Sequence, residues 1–327
     1  MAAGLVALGT YVPSKVLTNK DLETFLDTSD EWITTRTGIK ERRIAAENEY
    51  TSTLAIQAVE DLIRRHGQAA LDGVDMIISA TNTPDALFPA TACLIQAHFG
   101  LNAAAYDLLA GCPGWLYGLS QAYGMVEAGI ARKVLVVGAE ALSKIMDWED
   151  RSTAVLFGDA AGAAIVGKVP EGYGFRAFAL GADGTSAKEL HYGCVAPNLP
   201  DGTPLSRKGI FMNGREVFKF AVRVMNTATL EAIHKAGLRP EEISLFIPHQ
   251  ANYRIIDAAR ERLGLPWDRV VVNLDRYGNT STASIPLALK DALSQGKIQD
   301  GDHLLLVSFG AGLTWAATVM TWYGGEA

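Results

Sequence analysis

The sequence predicts a duplicated α/β protein: two mainly parallel sheets with helices shared between them. Three observations support this. Apolar, strand-like runs alternate with helical patterns along the whole chain, and the runs are apolar throughout, as strands covered on both faces are. The order of segments in the first half recurs in the second. With 327 residues, 49% hydrophobic and 20% charged, the chain has apolar matter for a large core and is not a disordered composition.

In the first half, Leu54, Ala58, Val59 and Leu62 recur at helical spacing before the strand-like Val74-Asp75-Met76-Ile77-Ile78. A helix ending near Phe99-Gly100-Leu101 follows, then an apolar strand from Ala103 to Leu109. Leu116, Leu119, Ala122, Tyr123 and Val126 mark a long helix, and Lys133 to Val137 the next strand. Phe157-Gly158-Asp159 opens a glycine- and alanine-rich strand to Val166. The second half repeats the order: a helix from about Gly214 to Ala236, a strand from Ile243 to Ile247, and a helix ending at Leu263-Gly264-Leu265. A strand at Val270-Val271-Val272, a helix to Gln295, a strand from His303 to Val307, and Phe309-Gly310 with a strand through Val319 complete it. The seam falls near Lys168 to Tyr173, giving halves of residues 1–169 and 170–327.

Bulk properties narrow the function. With 29 basic and 36 acidic residues the net charge is −7, which disfavours a general affinity for nucleic acid or anionic membrane. Three cysteines without metal or disulfide spacing point to a reducing cytosol and to no metal site. The opening Met1-Ala2-Ala3-Gly4-Leu5 has no basic region or apolar core of a signal peptide. No apolar run reaches the ~18 residues of a bilayer span. A cytoplasmic enzyme without a bound cofactor is expected.

Chemistry concentrates at three segment ends. Cys112 lies between the Ala103–Leu109 strand and the helix after Pro113, a residue favoured at the first helical position. A thiol there faces free backbone N–H groups and the positive helix end, which predicts a lowered pKa. His249 ends an apolar run beside a helix start, a setting for neutral imidazole, and Asn279 lies in the turn Tyr277-Gly278-Asn279-Thr280-Ser281. A lone Cys, His or Asn is more often structural; the three together at strand ends are the signal, because α/β sites gather there. Neither Phe157 to Gly162 nor Gly310 to Gly312 has nucleotide-loop spacing, so both read as close backbone approaches at the centre. Thr28 and Glu31 fit a capping box, placing Trp32 and Arg36 one turn apart on one helix face, an aromatic and a guanidinium suited to adenine and phosphate. Cys93 and Cys194 read as structural, and His66, His98, His191, His234 and His303 have no catalytic context. Asp159 reads as a hydrogen-bond hub rather than a base.

The segments Ala110-Gly111-Cys112, Pro248-His249-Gln250-Ala251-Asn252 and Gly278-Asn279-Thr280-Ser281 resemble the catalytic signatures of β-ketoacyl-acyl-carrier-protein synthase III, the initiating condensing enzyme of type II fatty acid synthesis in the thiolase superfamily. The likeness runs through Asp30-Glu31-Trp32-Ile33, Arg36-Thr37-Gly38-Ile39, Phe157-Gly158-Asp159 and Ser308-Phe309-Gly310-Ala311-Gly312-Leu313-Thr314-Trp315, nearly the whole chain in order. It implies a thiolase-like, five-layered αβαβα fold. It also implies a decarboxylating condensation of an acyl-CoA, acetyl-CoA being the expected starter, with malonyl-acyl carrier protein, through an acyl-Cys112 intermediate and with His249 and Asn279 steadying the enolate. By the same resemblance, the amides of Cys112 and Ala311 form the oxyanion hole, although Ala311 stands where Gly is usual. Arg151 joins Trp32 and Arg36 around the CoA adenine, and Phe88 crosses a homodimer interface to line the partner's acyl pocket. Pro113 and Trp115 replace the small residue and Phe usual after the nucleophile, a difference that bears on the shape of the acyl pocket.

An acidic carrier protein needs a local basic patch on this acidic chain. Residues 206–223 carry five basic side chains, Arg215 and Lys219 among them, against one acidic. Arg254, about one and a half helical turns past His249, joins them with its neighbours Gln250, Ala251, Asn252 and Tyr253. Two other functions compete: a synthase-like enzyme with other starters or acceptors, and a cysteine hydrolase. Papain-like hydrolases place the Cys near the mature N-terminus and lack duplicated halves.

Overall fold

The computed structural model describes residues 1–325. The first sheet is built from β1 (Ala2–Tyr11), β2 (Val74–Ala80), β3 (Ala104–Leu108), β4 (Lys133–Glu140) and β5 (Ala160–Val169), in the order β1-β5-β4-β2-β3. The second contains β6 (Gly174–Ala182), β7 (Leu245–Pro248), β8 (His303–Gly310) and β9 (Thr314–Thr321), in the order β7-β8-β9-β6. Val270, bridged in parallel to Phe246, stands at the edge where β3 stands in the first sheet. The order and direction of pairing therefore repeat between the halves, as a duplicated unit requires.

The sheets are mixed rather than mainly parallel. β4–β2, β2–β3 and β7–β8 are parallel, whereas β1–β5, β5–β4, β8–β9 and β9–β6 are antiparallel. Apolar strands show that both faces are covered but not which way each strand runs. Only three residues join β8 to β9, and so short a link permits only an antiparallel pair. The expected strand at 270–272 is likewise reduced to a single bridge, with the Val271 N–H donating to Phe246 O.

Three apolar clusters account for five layers. Helices α2 (Thr51–His66) and α3 (Thr91–Phe99) cover the outer face of the first sheet through Leu54, Ala58, Leu62 and Ile95, packed on Ile77, Leu135 and Ile165. Between the sheets lie α4 (Gly114–Glu127) and α7 (Ser284–Ser294). Leu116, Leu119, Ile285 and Leu289 share one buried cluster with Ile78, Val136 and Val166 of the first sheet and Ile247, Leu304 and Leu306 of the second. Beyond the second sheet, α5 (Gly214–Lys235) and α6 (Tyr253–Leu263) bury Phe220, Val224, Ile256 and Ala259 with α1 (Asp30–Thr37) beside them. Trp115 is fully buried in the central layer and its indole N–H donates to Val136 O at 3.4 Å.

Among the described residues no helix is long and apolar enough to cross a membrane, and no group of three His, Cys, Asp or Glu side chains is placed to hold a metal ion. Cys93 and Cys194, expected as structural, are surface residues.

Candidate active site

The C-terminal end of β3 delivers Cys112 to the start of α4, as the strand-to-helix reading required. Pro113 caps that helix rather than beginning it, with φ −74° and ψ 2°. Gly111 takes φ +67°, and a Cβ there would strike the backbone of Ala311. A Cβ on Gly310 would stand 2.9 Å from the Cys112 Cβ. The two glycine-rich turns are thus pressed together because neither carries a side chain at the contact. Among the described residues the Cys112 and Ala311 amides find no backbone acceptor, so two N–H donors remain beside the sulfur.

The expected lowering of the thiol pKa is not what the environment produces. Burial pushes the Cys112 thiol up to about 12; the nearby Ser281 hydroxyl works the other way, and the Glu140 charge raises it further. Part of the residue is solvent-exposed, but the thiol itself is enclosed by protein, and desolvation of a thiolate outweighs a helix terminus. The resting nucleophile is a thiol.

His249 follows β7, its N–H donating to Val307 O at 2.8 Å. The ring is buried edge-on to Phe309, with centroids 5.4 Å apart, and burial lowers its pKa to about 3. Nδ1 lies 2.6 Å from Ser284 Oγ at the first turn of α7, while the buried Nε2 has no partner among the described residues. With the serine hydroxyl donating to Nδ1, Nε2 carries the hydrogen and is a donor aimed at a ligand.

Asn279 is buried, its backbone paired with Phe157. Its Oδ1 accepts from Ser281 N–H at 2.9 Å, which fixes the amide orientation and leaves the Nδ2 hydrogens for a ligand. Ser281 takes φ +49°, an unusual value for a residue with a side chain. Shared contacts bring the three expected residues together: Gly310 abuts Cys112, Phe309 abuts His249, and Ser281 links Asn279 to the thiol. Asp159 is a hub, its carboxylate accepting from Ala45 N–H at 2.7 Å and Ser143 N–H at 2.9 Å.

Sequence reasoning missed Glu140, Asn82, Ser281 and Ser284. Glu140 is completely buried and accepts from the Asn82 backbone and side chain (3.1 and 2.6 Å), Thr83 Oγ1 (3.0 Å) and Thr282 Oγ1 (3.1 Å). Its signal was available: a carboxylate ending the apolar strand from Val134, at the sheet end where α/β sites gather.

Half-buried Trp32 and the exposed Arg36 and Arg151 form one cluster. The Arg36 and Arg151 guanidinium carbons lie 4.9 and 5.3 Å from the Trp32 ring centroid. The helix cap is Ser29, whose side chain accepts from Trp32 N–H at 3.1 Å, and not Thr28. A one-residue offset leaves the Trp32 and Arg36 face unchanged because their spacing sets it.

On the expected docking face, Arg254 lies over Phe218 at 5.5 Å, joining α6 to the helix that carries Arg215 and Lys219. Lys219 also pairs with Glu216 at 2.7 Å. Arg254 is not on a helix continuous with His249: α6 begins at Tyr253, after the extended Asn252 cap, and residues 249–252 are not helical. Gln250 is buried, its amide used by Pro248 O, Val271 O and Asn273 N–H, and so it is no part of a docking surface. Ala251 packs on the core, Asn252 Nδ2 donates to Arg36 O, and Tyr253 stacks on Trp267 at 5.0 Å. Phe88 is 84% exposed and points away from the chain's own core.

Residues 106–184 match the family model 3-oxoacyl-[acyl-carrier-protein] synthase III, and residues 233–322 match its C-terminal model. A β-ketoacyl-[acyl-carrier-protein] synthase III of Deinococcus deserti is 55% identical over 99% of this chain and 93% of its own length. The chain belongs to the β-ketoacyl-acyl-carrier-protein synthase III family. The crystal structure of the Thermus thermophilus synthase III is 74% identical, covers 98% of this chain with 100% of its own, and superposes with a TM-score of 0.97. The priming β-ketosynthase of the R1128 polyketide pathway is 36% identical over 98% of this chain and 96% of its own, with a TM-score of 0.89. The fold is therefore the thiolase-like fold of the synthase III enzymes.

Proposed function

We propose that Cys112, His249 and Asn279 carry out the reaction of this synthase family: condensation of an acyl-CoA starter with malonyl-acyl carrier protein, with loss of CO₂, to begin a fatty acyl chain. The observation that carries the reading is the pair of neutral donors, His249 Nε2–H and Asn279 Nδ2, oriented by Ser284 and Ser281 beside a cysteine with two free amides. The thiol attacks the thioester, and the amides of Cys112 and Ala311 hold the tetrahedral oxygen. CoA leaves and Cys112 is acylated. Malonyl thioester then loses CO₂, and the two donors bind the enolate oxygen while its carbon attacks the acyl-cysteine. A cysteine hydrolase would need a base that accepts a proton from water, and a buried imidazole with pKa about 3 and its hydrogen on Nε2 is a donor instead.

In this reading residues 1–169 supply the nucleophile and 170–327 the donors. Trp32, Arg36 and Arg151 take the adenine and phosphates of CoA, and Arg254 with Arg215 and Lys219 meets the acidic carrier protein. Exposed Phe88 serves a homodimer in the cytoplasm, and CoA enters as substrate, with no resident cofactor. Acetyl-CoA is the assigned starter. Incubation with acetyl-CoA alone is expected to add one acetyl mass, located on the Cys112 peptide. Label on Cys93 or Cys194, or none, overturns the assignment, while faster acylation by isobutyryl-CoA than by acetyl-CoA replaces the starter.

A further inference from the structure

We propose that the buried side chain of Arg42 is a positioning residue for coenzyme A: with Asn19 it braces α1, which carries Trp32 and Arg36, against the helical turn that carries Arg151. The inference rests on the reading of Trp32, Arg36 and Arg151 as the site of the CoA adenine and phosphates, and it names what holds that site in shape.

The site has two walls from distant parts of the chain. Trp32 and Arg36 stand on α1, whereas Arg151 begins a single helical turn, Arg151–Ala154. At the surface the walls meet through Arg151, which donates to Asp27 O at 2.6 Å and lies 3.5 Å from its carboxylate. Both side chains are solvent-exposed there, and an exposed pair of this kind contributes little. A deeper contact is needed to fix the spacing of the walls, because a ring and a guanidinium attract only within about 6 Å.

Arg42 provides it. The residue lies on the short strand Glu41–Ile44, is completely buried, and reaches both walls. On one side a terminal nitrogen donates at 2.7 Å to the carbonyl of Val155, the residue that caps the Arg151 turn. On the other, both terminal nitrogens donate to Asn19 Oδ1 at 3.0 Å, and one also donates to Leu17 O at 3.1 Å. Two donors on Oδ1 fix the Asn19 amide, so its Nδ2 faces α1. There Nδ2 donates at 2.8 Å to Asp30 Oδ1, at the start of the helix, and at 2.8 Å to Ile39 O, just past its end. One amide thus holds both ends of α1, and Arg42 ties that amide to Val155.

Stability alone does not explain a cation at this place. The groups that accept from the guanidinium are all neutral, and its Nε has no partner among the described residues. Glu41 and Asp21 act on it through space, and burial lowers its pKa to about 10, which leaves it charged at neutral pH. A buried charge without a bonded counter-ion is costly. What arginine supplies is a rigid planar fork that joins three segments at fixed angles, which lysine or an apolar side chain cannot do. Its Cβ separately backs the turn before Asn279: an ideal Cβ on Gly158 or Gly278 would stand 3.1 or 3.2 Å from it. Substitutions that keep the Cβ therefore spare the condensation centre and act on the CoA site.

The test compares acetyl-CoA with acetyl-pantetheine, a thioester without adenine or phosphates, as donors to Cys112. Steady-state kinetics are measured on wild type, Arg42→Met, Arg42→Lys, Asn19→Asp and Trp32→Ala, with urea unfolding alongside. Asn19→Asp keeps the size and the bonds to Arg42 but loses the donor to Asp30 and Ile39 O, so it cuts the brace on the α1 side while pairing the buried cation. It carries the test if Arg42→Met fails to fold. Arg42→Met and Asn19→Asp are expected to raise KM for acetyl-CoA about 5–10-fold, inside the ~5–30-fold assigned to the Trp32 ring. Their kcat, and their rates with acetyl-pantetheine, should stay within about twofold of wild type. Arg42→Lys should recover part of the loss, since it keeps the charge without the fork. A KM for acetyl-CoA within about twofold of wild type in folded Asn19→Asp enzyme overturns the brace. Equal loss with both thioesters also overturns it, because Arg42 then supports the whole fold and not the CoA site. An equal effect of Trp32→Ala on the two thioesters instead removes the CoA-site reading on which the brace rests.

Discussion

Gly310→Ala is the sharpest perturbation of the contact between the two glycine-rich turns. An ideal Cβ at 310 would stand 2.9 Å from the Cys112 Cβ and 3.0 Å from Pro113 Cδ, and closer still to the Cys112 amide nitrogen. Ordinary carbon contacts begin near ~3.5 Å, so the nucleophile turn must retreat by roughly 0.5–1 Å. No flexible side-chain end is available to absorb this, because the atoms met are backbone, a Cβ and a proline ring. Overpacking of this kind costs about 1–3 kcal/mol of stability. Displacing the Cys112 amide from the position of the oxyanion should cost acylation a further ~10²–10³-fold, the price of one lost donor. Gly124→Ala is the control. Gly124 is exposed in the last turn of α4 with open space where its Cβ would go, so alanine should stabilise by about 0.5–1 kcal/mol and leave acylation unchanged. Urea unfolding and single-turnover acylation measured on both variants decide the matter. A folded Gly310→Ala enzyme that acylates within about threefold of wild type would refute the tight-turn account of the oxyanion hole.

Trp32→Ala should raise KM for acetyl-CoA about 5–30-fold with kcat little changed, since it removes a ring that two guanidiniums flank at ~0.5–1 kcal/mol each together with the stacking surface; a fall in kcat at constant KM would place its role in folding. Arg254→Glu should raise KM for malonyl-acyl carrier protein, most at low salt, because exposed charges steer association and are screened over ~8–10 Å at ordinary salt. Acylation of Cys112 by acetyl-CoA should not change in that variant. Equal damage to both substrates would move the docking surface elsewhere.

The sequence revealed the parts of this fold that depend on local pattern. Apolar runs located seven of the nine strands of the two sheets, all but β1 and β6, and the repeat of their order foretold the duplication. Strand direction was not legible, because hydrophobicity reports burial and is silent on pairing; the three-residue turn between β8 and β9 was the available clue. Cys112, His249 and Asn279 could be read because each ends a segment. Ser281 and Ser284 could not, since their roles arise from where Asn279 and α7 come to rest beside β7. The thiol pKa was misjudged for a related reason: a helix start is visible in sequence, whereas the enclosure that outweighs it is assembled from both halves. Gln250 looked like a surface residue in a polar loop but turns inward to satisfy Pro248 O and Val271 O.

The central claim is that Cys112 takes the acyl group while His249 and Asn279, both neutral, serve the enolate. The direct measurement is to separate the half-reactions in His249→Ala and Asn279→Ala: acetyl transfer to Cys112 by mass, and CO₂ release from malonyl-acyl carrier protein. Each variant should lose decarboxylation by ~10²–10³-fold while acylation falls far less. Because burial holds His249 neutral, with a pKa of about 3, wild-type decarboxylation should show no imidazole titration between pH 6 and 8. Variants that decarboxylate normally but fail to acylate Cys112 would contradict the account and make His249 a base for the thiol.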